Sequence, residues 1–374
     1  MSSSEAPTPA APVTRTLEDL LKYCEEVNAS DLHLAPTHVP LVRVDGELTP
    51  IPGQPPLRSD EIDAMAQPLM TTHHRHALAE RGAADGAHSS VGGTRYRYNI
   101  FRRHGKLALI LRRLEDRFRS LKELGLPDAL YRLADLSDGL VVLSGPTGSG
   151  KSTTLATLLD KINRERRCHM VTIEDPIEYV HVPRMAEVNQ RELYTDVPDF
   201  NQALVSALRQ DPDVILVGEV RDQNTIRMAI TAAETGHLVF TTVHAADCVG
   251  TIERLVAVFP ADEQDGIRRQ LAMVLRAIVN QQLLPAITDS GKKGRVAAAE
   301  VLMNTLAIAN LIVIGKSPMI FSCIETGRGQ GMQTMDQDVA RLWSQGLIDE
   351  QTAIAAARSV TSMQDRARVL RNEM

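Results

Sequence analysis

The strongest constraint on this chain is a glycine-rich segment that stands between an apolar run and a stretch with helical spacing. The apolar run is residues 140–143, and the helical stretch is residues 153–159. Between them lies Gly145-Pro146-Thr147-Gly148-Ser149-Gly150-Lys151-Ser152. Its glycines let backbone N–H groups converge on one point, where the helix adds the positive end of its dipole. A strand, a loop and a helix in this order predict a P-loop, which binds phosphate.

The side chains of the P-loop divide the work of holding a nucleotide. Lys151 has the reach to contact the β- and γ-phosphates, and the Ser152 hydroxyl is a ligand for Mg²⁺. We therefore expect ATP and Mg²⁺ to be bound by Gly145 to Ser152 and by Thr153, which follows them. A chance glycine-rich turn is the alternative, and the match along the whole segment in the right context argues against it.

Two more apolar runs end in carboxylates, which hydrolysis of a bound nucleotide requires. Residues 213–217 lead to Glu219, and residues 170–173 lead to Glu174. The carboxyl ends of parallel strands line the ligand crevice, so both acids are expected there. Glu219 is predicted to lie beside Mg²⁺ as a metal ligand, and Glu174 to orient or polarise the attacking water. Salt bridging or helix capping is the alternative for such acids, and which of the two acts as the base is open at this stage.

Two histidines, His237 and His244, flank a further apolar run, residues 238–243. A histidine beside a strand is more often a structural residue than a catalyst. The residues by themselves therefore give only a weak prediction that either histidine acts in catalysis.

Basic residues are concentrated between Arg95 and Arg119, a segment that contains eight arginines and one lysine but only two acidic residues. Alternation along residues 95–100 puts Arg95 and Arg97 on one face and Tyr96 on the other. Three interpretations compete: a solvated face, a nucleic-acid patch of interleaved basic and aromatic residues, and arginine fingers donated to the γ-phosphate of another subunit. Composition favours the solvated face, whereas the neighbouring P-loop favours the fingers.

Bulk properties narrow the class of protein. The 374 residues suffice for two domains, and the net charge of −6 does not favour a nucleic-acid partner. No apolar run approaches the roughly 18 residues of a transmembrane helix, and no signal peptide opens the chain. None of the four cysteines forms a CxxC pair, as expected for a protein in the reducing cytoplasm.

The pattern along the chain predicts two domains. Residues 1–13 are poor in large apolar groups and are predicted to be a disordered tail. Residues 14–114 predict a small α+β domain, with strand pairs that turn at 45–46 and 104–105 and a helix near 59–81. Residues 115–127 are predicted to be a linker. From residue 128 to 374, strands alternate with helices, which predicts a parallel sheet covered on both faces and followed by a helical cap after residue 300.

Several motifs in a fixed order resemble the type IV pilus retraction ATPases, the PilT/PilU family within the secretion ATPase superfamily. The resemblance runs from about residue 16 to the C-terminus. It depends on the P-loop and on the motifs at residues 31–34, 44–48, 173–178, 188–192, 207–213, 221–222, 235–244 and 331–336.

The resemblance implies an α/β protein with a PAS-like N-terminal domain and a RecA-like motor domain, assembled as a homohexameric ring. Arg97 and Arg112 match family arginines that reach toward nucleotide at the subunit interface, and Arg95 is a candidate to join them. His237 and His244 match the family's histidine motif near the γ-phosphate or the acids. The implied ring acts on a platform protein from the cytoplasmic face of the inner membrane and disassembles the pilus, which produces twitching motility.

Two differences within the superfamily refine the expectation. Pilus assembly ATPases carry a paired-CxxC zinc insert and a longer N-terminal domain, and neither is present here, which favours retraction. Retraction ATPases also share a charged segment whose counterpart here is residues 307–314, with Ala309, Val313 and Ile314 at charged positions. This change leaves open a PilU-like accessory role beside a second retraction ATPase. A type IV secretion or nucleic-acid translocase is a further alternative.

Overall fold

The protein is described by a computed structural model that covers residues 16–114, 117–287 and 294–373. The chain divides into two compact units, Met1–Asp116 and Arg117–Met374, which we call the N-terminal and C-terminal units. The predicted disordered tail, residues 1–13, lies outside the described residues. The predicted domain limits, 14–114 and 128–374, stay predictions.

The N-terminal unit combines helices with an antiparallel sheet. Its elements are α1 (Leu17–Glu26), β1 (Asp31–Leu34), β2 (Leu41–Val44), β3 (Glu47–Pro50), α2 (Ser59–Ala66), α3 (Thr72–Arg81), β4 (Ala83–Ser89), β5 (Arg95–Arg103) and β6 (Lys106–Arg113). Within the described residues the strand order is β3-β2-β1-β6-β5-β4. One face of the sheet is buried, and Tyr96, Ile100 and Leu109 belong to the core on that side.

Both predicted hairpins are present, and their turns show why. Asp45 and Gly46 have φ angles of 48° and 90°, and His104 and Gly105 have φ angles of 50° and 76°. Two consecutive residues with positive φ make the two-residue turn whose twist matches that of the paired strands.

The single helix predicted near residues 59–81 is wrong. The structure has α2 and α3 there, separated by a 3₁₀ segment, Gln67–Leu69. Pro68 has no N–H to donate to a carbonyl oxygen of the preceding turn, so the α-helical pairing stops and the chain continues as the 3₁₀ segment. Thr71 then begins the second helix, because its side chain accepts a hydrogen bond from the His74 N–H.

The C-terminal unit alternates strands with helices and ends in helices. Its elements are α4 (Leu121–Leu124), β7 (Gly139–Ser144), α5 (Lys151–Glu165), β8 (His169–Glu174), β9 (Glu187–Glu192), α6 (Phe200–Ala207), β10 (Val214–Val217), α7 (Gln223–Glu234), β11 (Leu238–Val243), α8 (Cys248–Ala257), α9 (Ala261–Val274), β12 (Leu275–Ala286), β13 (Gly294–Met303), α10 (Leu306–Val313), α11 (Ile320–Thr326), α12 (Met335–Ser344), α13 (Glu350–Ala356) and α14 (Val360–Glu373). Short 3₁₀ segments add Asp128–Asp135, Ser317–Met319 and Arg328–Gln330.

The sheet of the C-terminal unit is buried on both faces, as the uninterrupted apolar runs predict. Its order within the described residues is β13-β12-β7-β11-β10-β8-β9. Along β7, Leu140 and Val142 pack into the core on one face, whereas Val141 and Leu143 pack into the core on the other. The α/β class with helices on both faces is thus confirmed.

Three features of this unit differ from the expectation. The sheet is mixed, because β13 pairs antiparallel with β12. The strands β9, β12 and β13 were not predicted, since polar residues such as Asn280 and Gln281 interrupt the apolar pattern of β12. Within the predicted linker, residues 115–127, the helix α4 buries Leu121 in the C-terminal unit.

The strand order places the functional loops together. The strands β7, β11, β10 and β8 are neighbours and run parallel. The segments that follow them therefore leave from the same edge of the sheet, which we call the carboxyl edge.

Candidate functional site

The P-loop leaves β7 at the carboxyl edge and ends where α5 begins, at Lys151. Gly145 has a φ angle of 137°, and a β-carbon there would lie 2.3 Å from the carbonyl oxygen of Gln281. Gly150 has a φ angle of 90°, and a β-carbon there would lie 2.8 Å from Nε2 of Gln281. Both positions thus require glycine, for conformation and for space.

Lys151 is buried inside the loop that carries it. Its Nζ donates hydrogen bonds of 2.9 Å to the carbonyl oxygens of Gly145 and Pro146. Burial lowers the pKa of Lys151, and the carboxylates of Glu219 and Glu178 act against that shift. The ammonium is therefore held by carbonyl oxygens of the loop and lies close enough to Glu219 and Glu178 to interact with their charges.

Gln281 supports the P-loop from the neighbouring strand β12, a role that sequence reasoning missed. Its Nε2 donates to the carbonyl oxygen of Ser149 at 2.9 Å, and its Oε1 accepts from the Thr154 hydroxyl at 2.8 Å. One buried amide thus fixes the loop to the first turn of α5. The available signal was the polar sequence Asn280-Gln281-Gln282 inside an otherwise apolar run.

Glu219 follows β10 and is held from both sides. Arg221 Nη2 donates to Glu219 Oε2 at 2.6 Å, and His244 Nε2 lies 3.3 Å from Oε1. Burial alone would raise the pKa of Glu219, but Arg221, through its hydrogen bond and charge, together with His244 and Lys151, holds this pKa below its ordinary value. Glu219 therefore carries a stable negative charge at the carboxyl edge.

Glu174 is the last residue of β8, and its environment has the opposite effect. Burial raises the pKa of Glu174 to about 7, although hydrogen bonds from Thr172 and Gln190 act against this shift. The Thr172 hydroxyl donates to Glu174 Oε1 at 2.7 Å, and Gln190 Nε2 donates to the same oxygen at 3.1 Å. The pKa values of two carboxyls at one edge are thus shifted in opposite directions, so Glu174 can exchange its proton near neutral pH while Glu219 stays ionised.

The two histidines of the predicted motif lie at opposite ends of β11. His244 follows the strand at the carboxyl edge, where its Nδ1 lies 3.2 Å from the carbonyl oxygen of Gly145. Both ring nitrogens of His244 face oxygen acceptors, and a neutral ring can donate to only one of them at a time. His244 therefore connects the P-loop to Glu219.

The prediction that His237 lies near the γ-phosphate or the acids disagrees with the structure of this subunit. His237 precedes β11 at the other end of the sheet, where Gly139 donates to its carbonyl oxygen. Its Nδ1 lies 2.9 Å from the carbonyl oxygen of Ala232 and 3.1 Å from the Thr235 hydroxyl. A strand of six residues spans about 20 Å at ~3.3 Å per residue, so His237 lies far from the P-loop of its own chain.

A small cavity opens beneath the P-loop helix, between Ser152, Glu174 and Glu178. Its volume is about 40 Å³. The Tyr179 hydroxyl at its side donates to Thr153 Oγ1 at 3.0 Å. Ser152 and Glu174 therefore line the same cavity.

Comparison with known proteins identifies the family at this point. The family model described as "Type II/IV secretion system protein" matches residues 7–316. The chain belongs to this family. It is 42% identical over 342 residues to the type IV pilus retraction ATPase PilT of Pseudomonas aeruginosa, a match that covers 91% of this chain and 98% of that protein. It is 38% identical over 346 residues to the type IV pilus ATPase PilU of the same organism, covering 92% and 90%.

The fold agrees with the family. The crystal structure of the pilus retraction motor PilT with bound ADP superimposes with a TM-score of 0.84 at 39% identity, covering 94% of this chain and 99% of that one. The resemblance that the motifs predicted is thus confirmed. No helix in the described part of this family member is both long and apolar enough to span a bilayer.

Two observations bear on whether this family member can hold Mg²⁺ with a nucleotide. The Ser149 hydroxyl is buried and has no hydrogen-bond partner among the described residues. Within the same residues, no group of three or more His, Cys, Asp or Glu side chains is placed to hold a metal ion. The Ser152 hydroxyl and the carboxylates of Glu174 and Glu219 supply oxygen atoms at the P-loop, and oxygen ligands are those that Mg²⁺ prefers.

The arginines predicted as fingers lie in the N-terminal unit. Arg97 on β5 and Arg112 on β6 are directly opposite each other in the sheet. Both side chains are exposed, and Arg112 Nε donates to Asp31 Oδ1 at 2.8 Å. Asp31, on β1, is a partner that sequence reasoning did not assign.

Proposed function

We propose that the chain is an ATP-hydrolysing motor subunit that drives retraction of type IV pili. It works as a homohexamer at the cytoplasmic face of the inner membrane and acts on the platform protein of the pilus machine. One observation carries this proposal: the P-loop, Glu174, Glu219 and His244 meet at one edge of the sheet, in a chain similar to PilT along nearly its whole length.

The side chains at the carboxyl edge suit the steps of hydrolysis. Lys151 and the loop N–H groups bind the phosphates, and Ser152 with Glu219 nearby holds Mg²⁺. When bound, Mg²⁺ neutralises charge on the phosphate oxygens. Glu174 accepts the proton of the attacking water, because a pKa of about 7 suits a base at neutral pH. His244 links Glu219 to the loop and orients both.

The arginines of the N-terminal unit complete the site in trans. Arg97 and Arg112 lie on an exposed face and carry positive charge on adjacent strands. An arginine that reaches the γ-phosphate of a neighbouring subunit stabilises the charge of the transition state. The active unit is therefore the ring, and each interface joins the P-loop of one subunit to the arginines of the next.

Replacing Lys151 with alanine tests the proposal in the purified protein. Lys151→Ala should abolish ATP hydrolysis and leave ring assembly and the melting temperature close to those of the parent. Lys161→Ala is a matched control, since Lys161 lies on the same helix and pairs with Asp135 and Glu165. Turnover that survives in Lys151→Ala would refute the catalytic assignment.

The same variant tests the cellular role. Cells that carry Lys151→Ala should extend labelled pili and fail to retract them. Pili that retract at the normal rate, with the variant expressed at parental levels, would refute an autonomous retraction motor.

An accessory, PilU-like role is the second candidate, and the C-terminal end of α10 motivates it. Val313 and Ile314 are 37% and 59% exposed, at positions that the sequence resemblance expects to be charged. A platform contact built from charges would therefore be altered. In that case Lys151→Ala should leave retraction intact when a second retraction ATPase is active and slow it when that motor is weakened.

A further inference from the structure

A row of charged side chains crosses four neighbouring strands of the N-terminal unit. The backbone register pairs Arg97 with Arg112, Arg112 with Asp31, and Asp31 with Arg43. Residues directly opposite one another project from the same face of a sheet. The four side chains therefore form one line, with a single carboxylate among three guanidinium groups.

This row lies on the face opposite the core of the unit. Alternation along β5 and β6 sends Tyr96, Tyr98 and Leu111 into the core, whereas Arg97 and Arg112 point away from it. The side chain of Asp31 is only 5% exposed, and that of Arg112 is 70% exposed. The carboxylate is thus the buried base of the row, and the guanidinium of Arg112 projects from it.

The contact between the two residues uses one edge of the guanidinium. Arg112 Nε donates to Asp31 Oδ1 at 2.8 Å, and the Ser30 hydroxyl donates to Oδ2 at 2.7 Å. Among the described residues, Arg112 makes no other side-chain hydrogen bond. Asp31 therefore fixes the direction of the side chain at Nε and leaves its two terminal nitrogens available.

The second arginine beside Asp31 is held differently. Arg43 Nη1 donates to the carbonyl oxygen of Gly46 at 2.7 Å, and its Nε lies 3.7 Å from Asp31 Oδ2. Arg43 is thus tied to the turn after β2. Of the two arginines beside the carboxylate, Arg112 is the one that Asp31 orients through a direct hydrogen bond.

We propose that Asp31 is a positioning residue that holds Arg112 extended, with its terminal nitrogens presented to the nucleotide phosphate of a neighbouring subunit. This inference rests on the proposed function, in which Arg112 acts as a finger in trans. An arginine loses conformational freedom when it engages a phosphate, and a carboxylate that fixes Nε in advance removes part of that cost. Arg97 and Arg112 repel each other, because like charges stand directly opposite in the sheet, and the carboxylate of Asp31 offsets this repulsion.

Asp31 stays ionised in this environment, as the role requires. Burial would raise the pKa of Asp31, but the hydrogen bonds from Arg112 and Ser30 and the charge of Arg112 hold it below its ordinary value. The carboxylate of Asp31 can therefore accept the hydrogen bond from Arg112 Nε at all pH values near neutral.

If Asp31 only stabilised the fold, its loss would lower kcat independently of Arg112. A double-mutant cycle distinguishes this structural role from the positioning role. Asp31→Ala and Arg112→Ala should each lower kcat, by about a thousandfold for Arg112→Ala and by about tenfold or more for Asp31→Ala. The KM for ATP should change by less than about threefold in each. The double variant should match Arg112→Ala alone, because Asp31 acts only through that arginine.

Two companion variants keep the test decisive. Asp31→Asn keeps the shape of the side chain and removes its charge, so it serves if Asp31→Ala fails to assemble. Asp85→Asn is the matched control: Asp85 is an exposed carboxylate of the same sheet that accepts from Asn99 at 3.1 Å, and its loss should leave kcat unchanged. Ring assembly and melting temperature are measured for every variant.

Mixed rings provide a readout that a loss of stability would not produce. Mixed rings of Asp31→Asn and Lys151→Ala subunits should hydrolyse ATP faster than rings made of either variant alone. Some interfaces then join an intact P-loop from one subunit to a well-positioned arginine from the other. Absence of any gain at every mixing ratio would count against positioning in trans.

The outcomes distinguish this inference from the proposed function on which it rests. If Arg112→Ala keeps full kcat, the finger assignment itself is wrong. If Arg112→Ala is slow but Asp31→Asn keeps full kcat, the finger stands and the positioning role of Asp31 is overturned. The positioning role is likewise overturned if the fold-decrease in kcat of the double variant equals the product of the fold-decreases of the two single variants.

Discussion

The carboxyl of Glu174 should control how ATP hydrolysis depends on pH. Its pKa is raised from an ordinary 4.5 to about 7, mainly by burial. At 1.36 kcal/mol per unit, this shift disfavours the ionised form by about 3 kcal/mol. A base with this pKa is ionised in about a tenth of the molecules at pH 6 and in about nine tenths at pH 8. The value of kcat/KM should therefore rise about tenfold between these two pH values.

A single hydrogen bond allows the midpoint to be moved. The Thr172 hydroxyl donates to Glu174 and lowers its pKa, so Thr172→Val should raise that pKa. A hydrogen bond to a charged group contributes about 1.5 kcal/mol, which corresponds to a shift of about one unit. Thr241→Val is the matched control, because the Thr241 hydroxyl is equally buried but donates to the Val217 carbonyl oxygen.

The assay is release of inorganic phosphate at subsaturating ATP, measured from pH 5.5 to 9 in buffers of constant ionic strength. Glu174→Gln should be almost inactive at every pH. The reasoning is refuted if the parent profile is flat through pH 7 while Glu174→Gln is inactive. It is also refuted if Thr172→Val and Thr241→Val share the midpoint of the parent.

The same shift predicts a linked change in stability. The folded pKa of Glu174 lies above its ordinary value, so the protonated carboxyl stabilises the native state at low pH, and this stabilisation is lost as the pH rises through about 7. Glutamine cannot ionise and avoids this loss. The unfolding free energy of Glu174→Gln relative to the parent should therefore increase by about 2 to 3 kcal/mol between pH 5 and pH 8.5, as measured by urea unfolding.

Two further predictions concern single side chains. His244→Ala should lower kcat by at least about tenfold, because it removes the link between Glu219 and the P-loop. The kcat of His237→Ala should stay within about twofold of that of the parent. Phosphate-release assays measure both values, and equal losses in the two variants would contradict the placement of His237. Gln281→Leu should destabilise the C-terminal unit by about 1 to 3 kcal/mol and weaken nucleotide binding, because it leaves the Ser149 carbonyl and the Thr154 hydroxyl without their partner. Thermal unfolding with and without ADP measures both effects, and unchanged stability would contradict the supporting role of Gln281.

Local features of this protein could be predicted from the sequence, because they depend on residues that are neighbours in the chain. The P-loop needs its own glycines and the strand and helix on either side, and the hairpins at 45–46 and 104–105 need only residues that tolerate positive φ. The motifs also identified the family. Long-range contacts add what these patterns lack, as the unpredicted strand β12 shows: its Gln281 supports a loop about 130 residues earlier in the chain.

The tertiary structure decided which residues meet and how they are charged. The strands that carry the P-loop, His244, Glu219 and Glu174 are adjacent in the order β7-β11-β10-β8, which differs from their order in the chain. His237 and His244 lie at opposite ends of β11, so only His244 reaches the carboxyl edge, although the sequence makes the two histidines look equivalent. Burial gives Glu174 a pKa of about 7, while Arg221 keeps Glu219 ionised. The sequence alone determined the chemistry that is available, and packing determined its position and protonation, because distance and desolvation are properties of the folded chain.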